Sequence, residues 1–407
     1  RRVLFRSCFR RCLVQLSCQV SHGSNVRVLS TAILPRSRYP MRENHVVRLN
    51  LYTVVCKIIA ASDGINVNIT LANFKSIILS LRAMSNSLEA PSCALPPHLV
   101  AWRSLVSRSV AAWDGLATTH QPISRNILLP RYILKECHSL DDFFNKNSNT
   151  LMFWFFQQRS AFMLQKRMKK WSCDELNDYI LLPASPGFVS RRDCFFLSHF
   201  WQSQDDPDLD GEYLRLHQAK LKPQTWSYIW VDWTCMPQKP RSPQEQELFH
   251  RCLGTISGII RNCDFIHFYP HFEPRLWILC EITEFALTSS GDILITPDIE
   301  PFLRHIDEML KTGVQATLAN HGYRCTDGLD RPYLTSWLEL LVLLQQLQFN
   351  VYTIRNMMDD MTWHLVEVQV YSEVELKRYE YSEVKLKRFE GTLVVDGKTH
   401  MFTPFPR

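Results

Sequence analysis

The sequence predicts an α/β domain, a parallel sheet with helices on both faces, preceded by a helical flank and followed by a small β tail. Two short runs carry that prediction. Asp193-Cys-Phe-Phe-Leu-Ser-His-Phe-Trp201 and Ser227-Tyr-Ile-Trp-Val-Asp-Trp-Thr-Cys-Met-Pro-Gln238 share one layout, a continuous apolar stretch ending in polar and aromatic residues. Continuous rather than alternating apolarity marks strands buried on both faces. The third observation is the alternation of strand and helix patterns from Arg191 onward, as in parallel strands joined by crossover helices.

The elements follow in chain order. Residues 1–40 hold eight Arg and no Lys, Asp or Glu. Residues 1–7 are expected to be non-native and 8–40 to derive from untranslated sequence, with an Arg-rich transit peptide as the alternative. The expected start is then Met41 or Met84. Residues 41–94 are unassigned, with disorder as one reading. Residues 95–190 read as a helical flank. Leu99, Trp102, Leu105, Val106, Val110 and Trp113 recur at helical spacing. Leu151–Trp171 is apolar at its start and ends in Lys166, Arg167, Lys169 and Lys170, which suits a helix C-terminus. Ser172-Cys-Asp-Glu175 has the capping-box pattern of another short helix.

The α/β domain is placed at 191–350, with strands at 193–199, 227–233 and 263–269. A helix is expected over 211–221. Another runs from the capping box Ser242-Pro-Gln-Glu245 to about Asn262, with the stripe Phe249, Cys252, Leu253, Ile256, Ile259 and Ile260. A third spans 275–287, and Ile293–Thr296 reads as one more strand. Helices at 299–312, with Asp298 as cap, and at 334–348 complete the domain. Residues 351–407 read as a β-rich tail. There, Tyr371–Glu380 is followed by the near-copy Tyr381–Glu390, and Asp396-Gly397 signals a type I′ hairpin.

Composition narrows the function classes. The 407 residues are 46% hydrophobic, enough for about two to three domains. The formal charge is +6. Because the eight arginines lie in 1–40, the rest of the chain is near neutral, with no basic field for nucleic acid. The 13 Cys form no C-x-x-C pair, so neither a zinc site nor a disulfide framework is indicated. Cys194, Cys263 and Cys280 lie in apolar runs and are expected to be reduced, which points to the cytoplasm. No uncharged apolar stretch is long enough to span a bilayer.

In an open parallel sheet, ligands bind outside the carboxyl ends of the strands. Those ends carry Ser198, His199 and Trp201 on the first strand. The second brings Asp232, Trp233 and Thr234, then Gln238 and Arg241 in its loop. After the third comes Trp277-Ile-Leu-Cys-Glu281, whose ends share a helix face; Glu284 extends that stripe. Ser198 lacks the glycines of a nucleophile elbow, so serine hydrolysis is not indicated. Asp205, Asp206, Asp208 and Asp210 lack EF-hand spacing and read as an acidic loop rather than a cation site.

The order F-F-L-S-H-F-W, Y-I-W-V-D-W-T-C-M-P-Q, a capped helix, C-D-F-I-H-F-Y and W-x-x-x-E resembles the TIR (Toll/interleukin-1 receptor) superfamily over roughly 191–290. The likeness is greatest to divergent fungal and plant relatives with an I-S-H-x-W strand. The first strand departs from the usual S-x-R ending. The resemblance implies a flavodoxin-like sheet, homotypic self-association and a role in signalling or self/non-self defence. It also implies cleavage of NAD, or a related nucleotide, at the nicotinamide–ribose bond, with NAD as substrate rather than cofactor. The catalytic glutamate of the W-x-x-x-E motif maps onto Glu281. Ser198, His199, Trp201, Asp232, Gln238, Arg241 and Trp277 are the expected substrate contacts. Two other functions stay open. One is a non-catalytic interaction module on the same fold. The other is a nucleoside-processing transferase, which needs a second carboxylate at Asp232 or Glu284.

Overall fold

The computed structural model describes residues 11–19, 27–35, 95–116, 128–146, 151–185, 187–203, 205–289, 296–367 and 384–406. Residues 41–94, most of Ile293–Thr296 and the first copy of the tail repeat lie outside them. The chain divides into two units, 1–94 and 95–407. In the first, β1 (Arg11–Gln19) and β2 (Arg27–Pro35) pair antiparallel from Arg11↔Pro35 to Gln19↔Arg27.

The second unit is mixed α/β. It opens with α1 (Pro97–Gly115), α2 (Leu128–Glu136) and α3 (Leu140–Lys146). β3 (Phe153–Gln158), α4 (Arg159–Leu164) and β4 (Tyr179–Pro183) follow. Then come β5 (Cys194–His199), α5 (Glu212–Leu221), β6 (Tyr228–Trp230), the single turn α6 (Asp232–Cys235), α7 (Pro243–Asn262) and β7 (Asp264–Phe268). Five strands form one sheet in the order β4-β3-β6-β5-β7. β6, β5 and β7 are mutually parallel, and β3 runs antiparallel to both of its neighbours. The sheet is therefore mostly parallel, not wholly parallel as the sequence suggested.

The difference lies in the segment read as a helical flank. Leu151–Phe156 is buried throughout, and a run with no polar face is served by a central strand. The basic residues that suggested a helix end lie beyond α4. Ser172 does cap a helical segment, accepting from the Asp174 amide at 3.2 Å, but this is a 3₁₀ run, Cys173–Asp178. β6 is shorter than predicted because Asp232 starts α6, its carboxylate accepting from the Trp233 amide at 2.6 Å.

Alternate residues of β5 face opposite layers. Cys194 and Phe196 join the core that contains Trp102, Leu105 and Trp113 of α1 and Cys252, Ile256 and Ile259 of α7. Phe195 and Leu197 join Phe162 of α4 and Leu214 and Leu221 of α5. Helices thus cover both faces. Indole donors fasten the first layer, Trp113 to the Leu181 carbonyl at 2.8 Å and Trp154 to Thr255 Oγ1 at 2.9 Å. The capping box of α7 forms as read, with Ser242 Oγ accepting from Glu245 N and Glu245 Oε2 accepting from Ser242 N.

The acidic loop is a capping device for α5. Buried Asp208 accepts from the amides of Tyr213 and Leu214 at 3.0 and 2.8 Å. Gly211, at φ +71°, is needed there, because a Cβ would lie 2.9 Å from the Lys166 carbonyl oxygen. Among the described residues no His, Cys, Asp or Glu cluster is suited to a metal ion. No helix among them is long and apolar enough to cross a membrane.

After β7 come α8 (Leu276–Thr288), α9 (Glu300–Thr312), α10 (Val314–Asn320), α11 (Asp330–Gln346) and α12 (Val351–Glu367). They pack around a further core. Asp298 does not cap α9; it accepts from the Tyr269 amide at 3.3 Å. The tail is β-rich only from β8 (Val384–Lys387), through β9 (Thr392–Val395), to β10 (Lys398–Met401), since residues 351–367 are helical. Asp396 and Gly397 turn between β9 and β10 at φ 49° and 77°, the positive angles of a type I′ turn.

Candidate functional site

The parallel register fixes where β5 presents its last residues. Ser198 lies opposite His267, and His199 opposite Phe268. Just past β7, the Tyr269 hydroxyl donates to Ser198 Oγ at 2.7 Å, and Ser198 in turn donates to Glu281 Oε2. Glu281, the sixth residue of α8, thereby hangs its carboxyl over the carboxyl end of β5. Tyr269 and Ser198 are buried and Glu281 partly so.

A second cluster adjoins the first. Trp201 Nε1 donates to Asp232 Oδ2 at 2.9 Å, and its ring meets Trp233 edge to face at 5.2 Å. His199 Nε2 lies 3.6 Å from Asp232 Oδ1. The two clusters are coupled electrostatically. Burial pushes the Glu281 carboxyl up to about 8; the Ser198 hydrogen bond pulls it down, the Asp232 carboxylate raises it and Arg275 lowers it. A carboxyl poised near neutrality can exchange a proton or, once ionised, stabilise a developing cation. Of the predicted residues, Ser198 and Glu281 thus share one cluster and His199, Trp201 and Asp232 an adjoining one.

Three other predicted contacts are occupied elsewhere. Gln238 donates to the carbonyls of Asp232 and Met236 at 2.8 and 3.1 Å, so it shapes its own loop. Arg241 donates to the Pro237 carbonyl at 2.6 Å and stacks 3.3 Å over Phe249, which engages its guanidinium at the head of α7. Trp277 donates to Asp330 Oδ2 at 2.9 Å, at the start of α11. It lines a cavity of about 10 Å³ with Glu281 and Glu284, not the strand ends.

Glu284 is a correction to the transferase reading. It is fully buried and ion-paired to Arg261, and it accepts from Trp337 Nε1 at 2.6 Å. Arg261 also reaches Asp359 at 2.9 Å and Thr362 Oγ1 at 3.0 Å. Burial raises Glu284, while Arg261 and Trp337 pull it back. That carboxylate ties α7, α8, α11 and α12 together, which leaves Asp232 as the second carboxylate. Tyr269 is the residue that sequence reasoning missed; its only signal was its place as the last residue of the predicted strand 263–269, one residue beyond the observed β7.

Behind the site, on the α5 face, His217 is fully buried and neither ring nitrogen has a partner. Its ring stands 6.5 Å from that of His199. Burial, and then the neighbours His199, Lys220 and His267, hold it well below the usual 6.5. The unfolded imidazole takes up a proton below that value and the folded one does not, so stability falls as pH drops through it. His217→Leu is expected to add about 1–3 kcal/mol by removing unpaired polar atoms. It should also flatten the acid side of the stability curve, as read by urea unfolding at weakly acidic and neutral pH.

A larger open depression, of about 590 Å³, lies at the start of β6 and is lined by Gln158, Arg159, Ser160, Met163, Ser227 and Tyr228. It holds no carboxylate, and Arg159 is turned to the Lys222 carbonyl at 3.0 Å. The strand-end site is the better candidate because the titratable groups converge there. In comparisons with known proteins, no family model, no curated protein and no solved structure matches the chain.

Proposed function

We propose that the chain is a TIR-like, flavodoxin-like signalling or self/non-self defence module of the cell interior that hydrolyses NAD, or a related nucleotide, at the nicotinamide–ribose bond. The observation that carries this reading is the placement of Glu281. Its carboxyl lies over the end of a parallel strand, hydrogen-bonded to Ser198, with Asp232 close enough to raise its proton affinity.

The chemistry needs one carboxylate. The C1′–N bond breaks with its electron pair leaving on nicotinamide, which departs neutral and needs no general acid. Ionised Glu281 stabilises the oxocarbenium-like ribose. Water then forms the C1′–O bond and gives up a proton, leaving ADP-ribose. Asp232, held by Trp201, is placed to accept from a ribose hydroxyl or from the attacking water.

The test is nicotinamide release from NAD by the purified chain at low and high protein concentration, wild type beside Glu281→Gln. Release that rises with concentration and vanishes in the variant supports hydrolysis by a self-associating module. Equal release in both, or none in either at high concentration, overturns it. One observation favours a second reading, a non-catalytic interaction module. The cavity touching Glu281 has about 10 Å³, room for roughly one water molecule. In that case Glu281→Gln self-associates as the wild type does and neither protein turns NAD over.

A further inference from the structure

We propose that Tyr269 is a positioning residue for Glu281: by donating to Ser198 Oγ, its hydroxyl turns the serine proton toward the carboxylate. This takes Glu281 as the working carboxylate, as above, but its test needs no turnover.

A serine hydroxyl has one proton and two acceptor lone pairs. With no other constraint, the proton rotates among nearby acceptors. Here one lone pair is filled by Tyr269 at 2.7 Å, and the proton is directed to Glu281 Oε2. The tyrosine is itself held on three sides. Its ring lies 5.1 Å from Phe200, 5.4 Å from His267 and 5.5 Å from Phe302. Its amide donates to Asp298 at 3.3 Å. Burial holds the phenol well above its usual range, so it remains a donor.

The donor matters because of what else faces Glu281. Asp232 from α6 opposes its ionisation, and Arg275 at the head of α8 favours it. Cys280, on the same helix, is a buried thiol held well above its usual range, and so neutral. Glu284 is taken by Arg261. The relay Tyr269–Ser198–Glu281 is the hydrogen-bonded contribution that favours the ionised carboxylate.

The experiment follows the Glu281 side-chain carboxyl by carbon-13 NMR as pH is varied, in the full chain without nucleotide, with Glu281→Gln identifying the signal. Ser198→Ala is expected to raise the midpoint by about one pH unit, from loss of a hydrogen bond to the charged form. Tyr269→Phe keeps the ring contacts and is expected to raise it by roughly half as much. The double variant should match Ser198→Ala alone, because both act through one proton. A midpoint unmoved in Tyr269→Phe, or single shifts that simply add, overturns the proposal. Biosynthetic 3-fluorotyrosine provides a second route that does not depend on the variant folding. It strengthens the phenol as a donor and should lower the midpoint; no shift or a rise overturns the proposal as well. Because the readout is a titration in the free protein, loss of the relay and absence of NAD turnover are separate results.

Discussion

Arg261→Met is expected to destabilise the chain by about 3–5 kcal/mol, the usual cost of leaving one partner of a buried ion pair alone. Arg261 and Glu284 are both fully buried. Removing the guanidinium strands Glu284 with only the Trp337 donor and leaves Asp359 with only Asn262, while Thr362 keeps its contacts to Ser257 and Met358. Arg355, which donates to the Arg261 carbonyl at 2.8 Å, packs against the same junction. The damage should be electrostatic, since Met fills much of the same space. Arg261→Met with Glu284→Gln is therefore expected to recover more than half of the loss, as a pair coupled in one network does. Urea midpoints of the wild type, both single variants and the double variant measure this. A silent Arg261→Met would mean that the helices hold α8 without the pair. The consequence reaches the site, because α8 carries Glu281 three residues before Glu284.

The parts of this fold that were legible are those in which one short segment contains the whole reason. β5, β6 and β7 could be read because apolar runs such as Cys194–Leu197 have no polar face to spare. α7 could be read because Ser242, Pro243 and Glu245 cap it locally. Leu151–Phe156 carried the same strand signature, but the lysines and arginines downstream pulled the reading toward a helix. The chain resolves that conflict by changing from strand to helix at Arg159. α12 was hidden because Asn356, Asp359 and Asp360 interrupt its apolar pattern; Asp359 is there to meet Arg261, which is distant in sequence. The site divides in the same way. The four-residue spacing of Trp277 and Glu281 put the carboxylate on the right helix, and the strand ends supplied Ser198 and Asp232. Spacing gave no means of separating Glu281 from Glu284, since what distinguishes them is a cation on α7 and a serine on β5. Tyr269 was invisible because its role depends on the register of β5 against β7.

Glu281→Gln should make the chain more stable at alkaline pH and far less active at every pH. In the folded protein the carboxyl is pushed up to about 8, against an ordinary value of 4.5. Between those values the folded state holds a proton that the unfolded state has lost. Wild-type stability therefore declines as pH rises from 4.5 to about 8 and is level above it. The full shift corresponds to about 5 kcal/mol, and partial exposure of the carboxyl brings the expected loss nearer 2. Glutamine cannot ionise, so the variant and the wild type should be close near pH 5, diverge as pH rises to about 8 and stay apart above it, with the variant the more stable. Activity runs the other way. If the ionised carboxylate stabilises the ribose cation, nicotinamide release should climb with pH and level off above about 8. The variant should lose on the order of 10²–10³ in rate, as when a preorganised charge is removed from a transition state. A wild-type rate that is flat or falls across this range would remove the carboxylate from that role. A stability gain without any wild-type turnover would instead favour the non-catalytic interaction module, with the buried glutamate taking no part in chemistry. In that case the Glu281→Gln variant should self-associate as the wild type does.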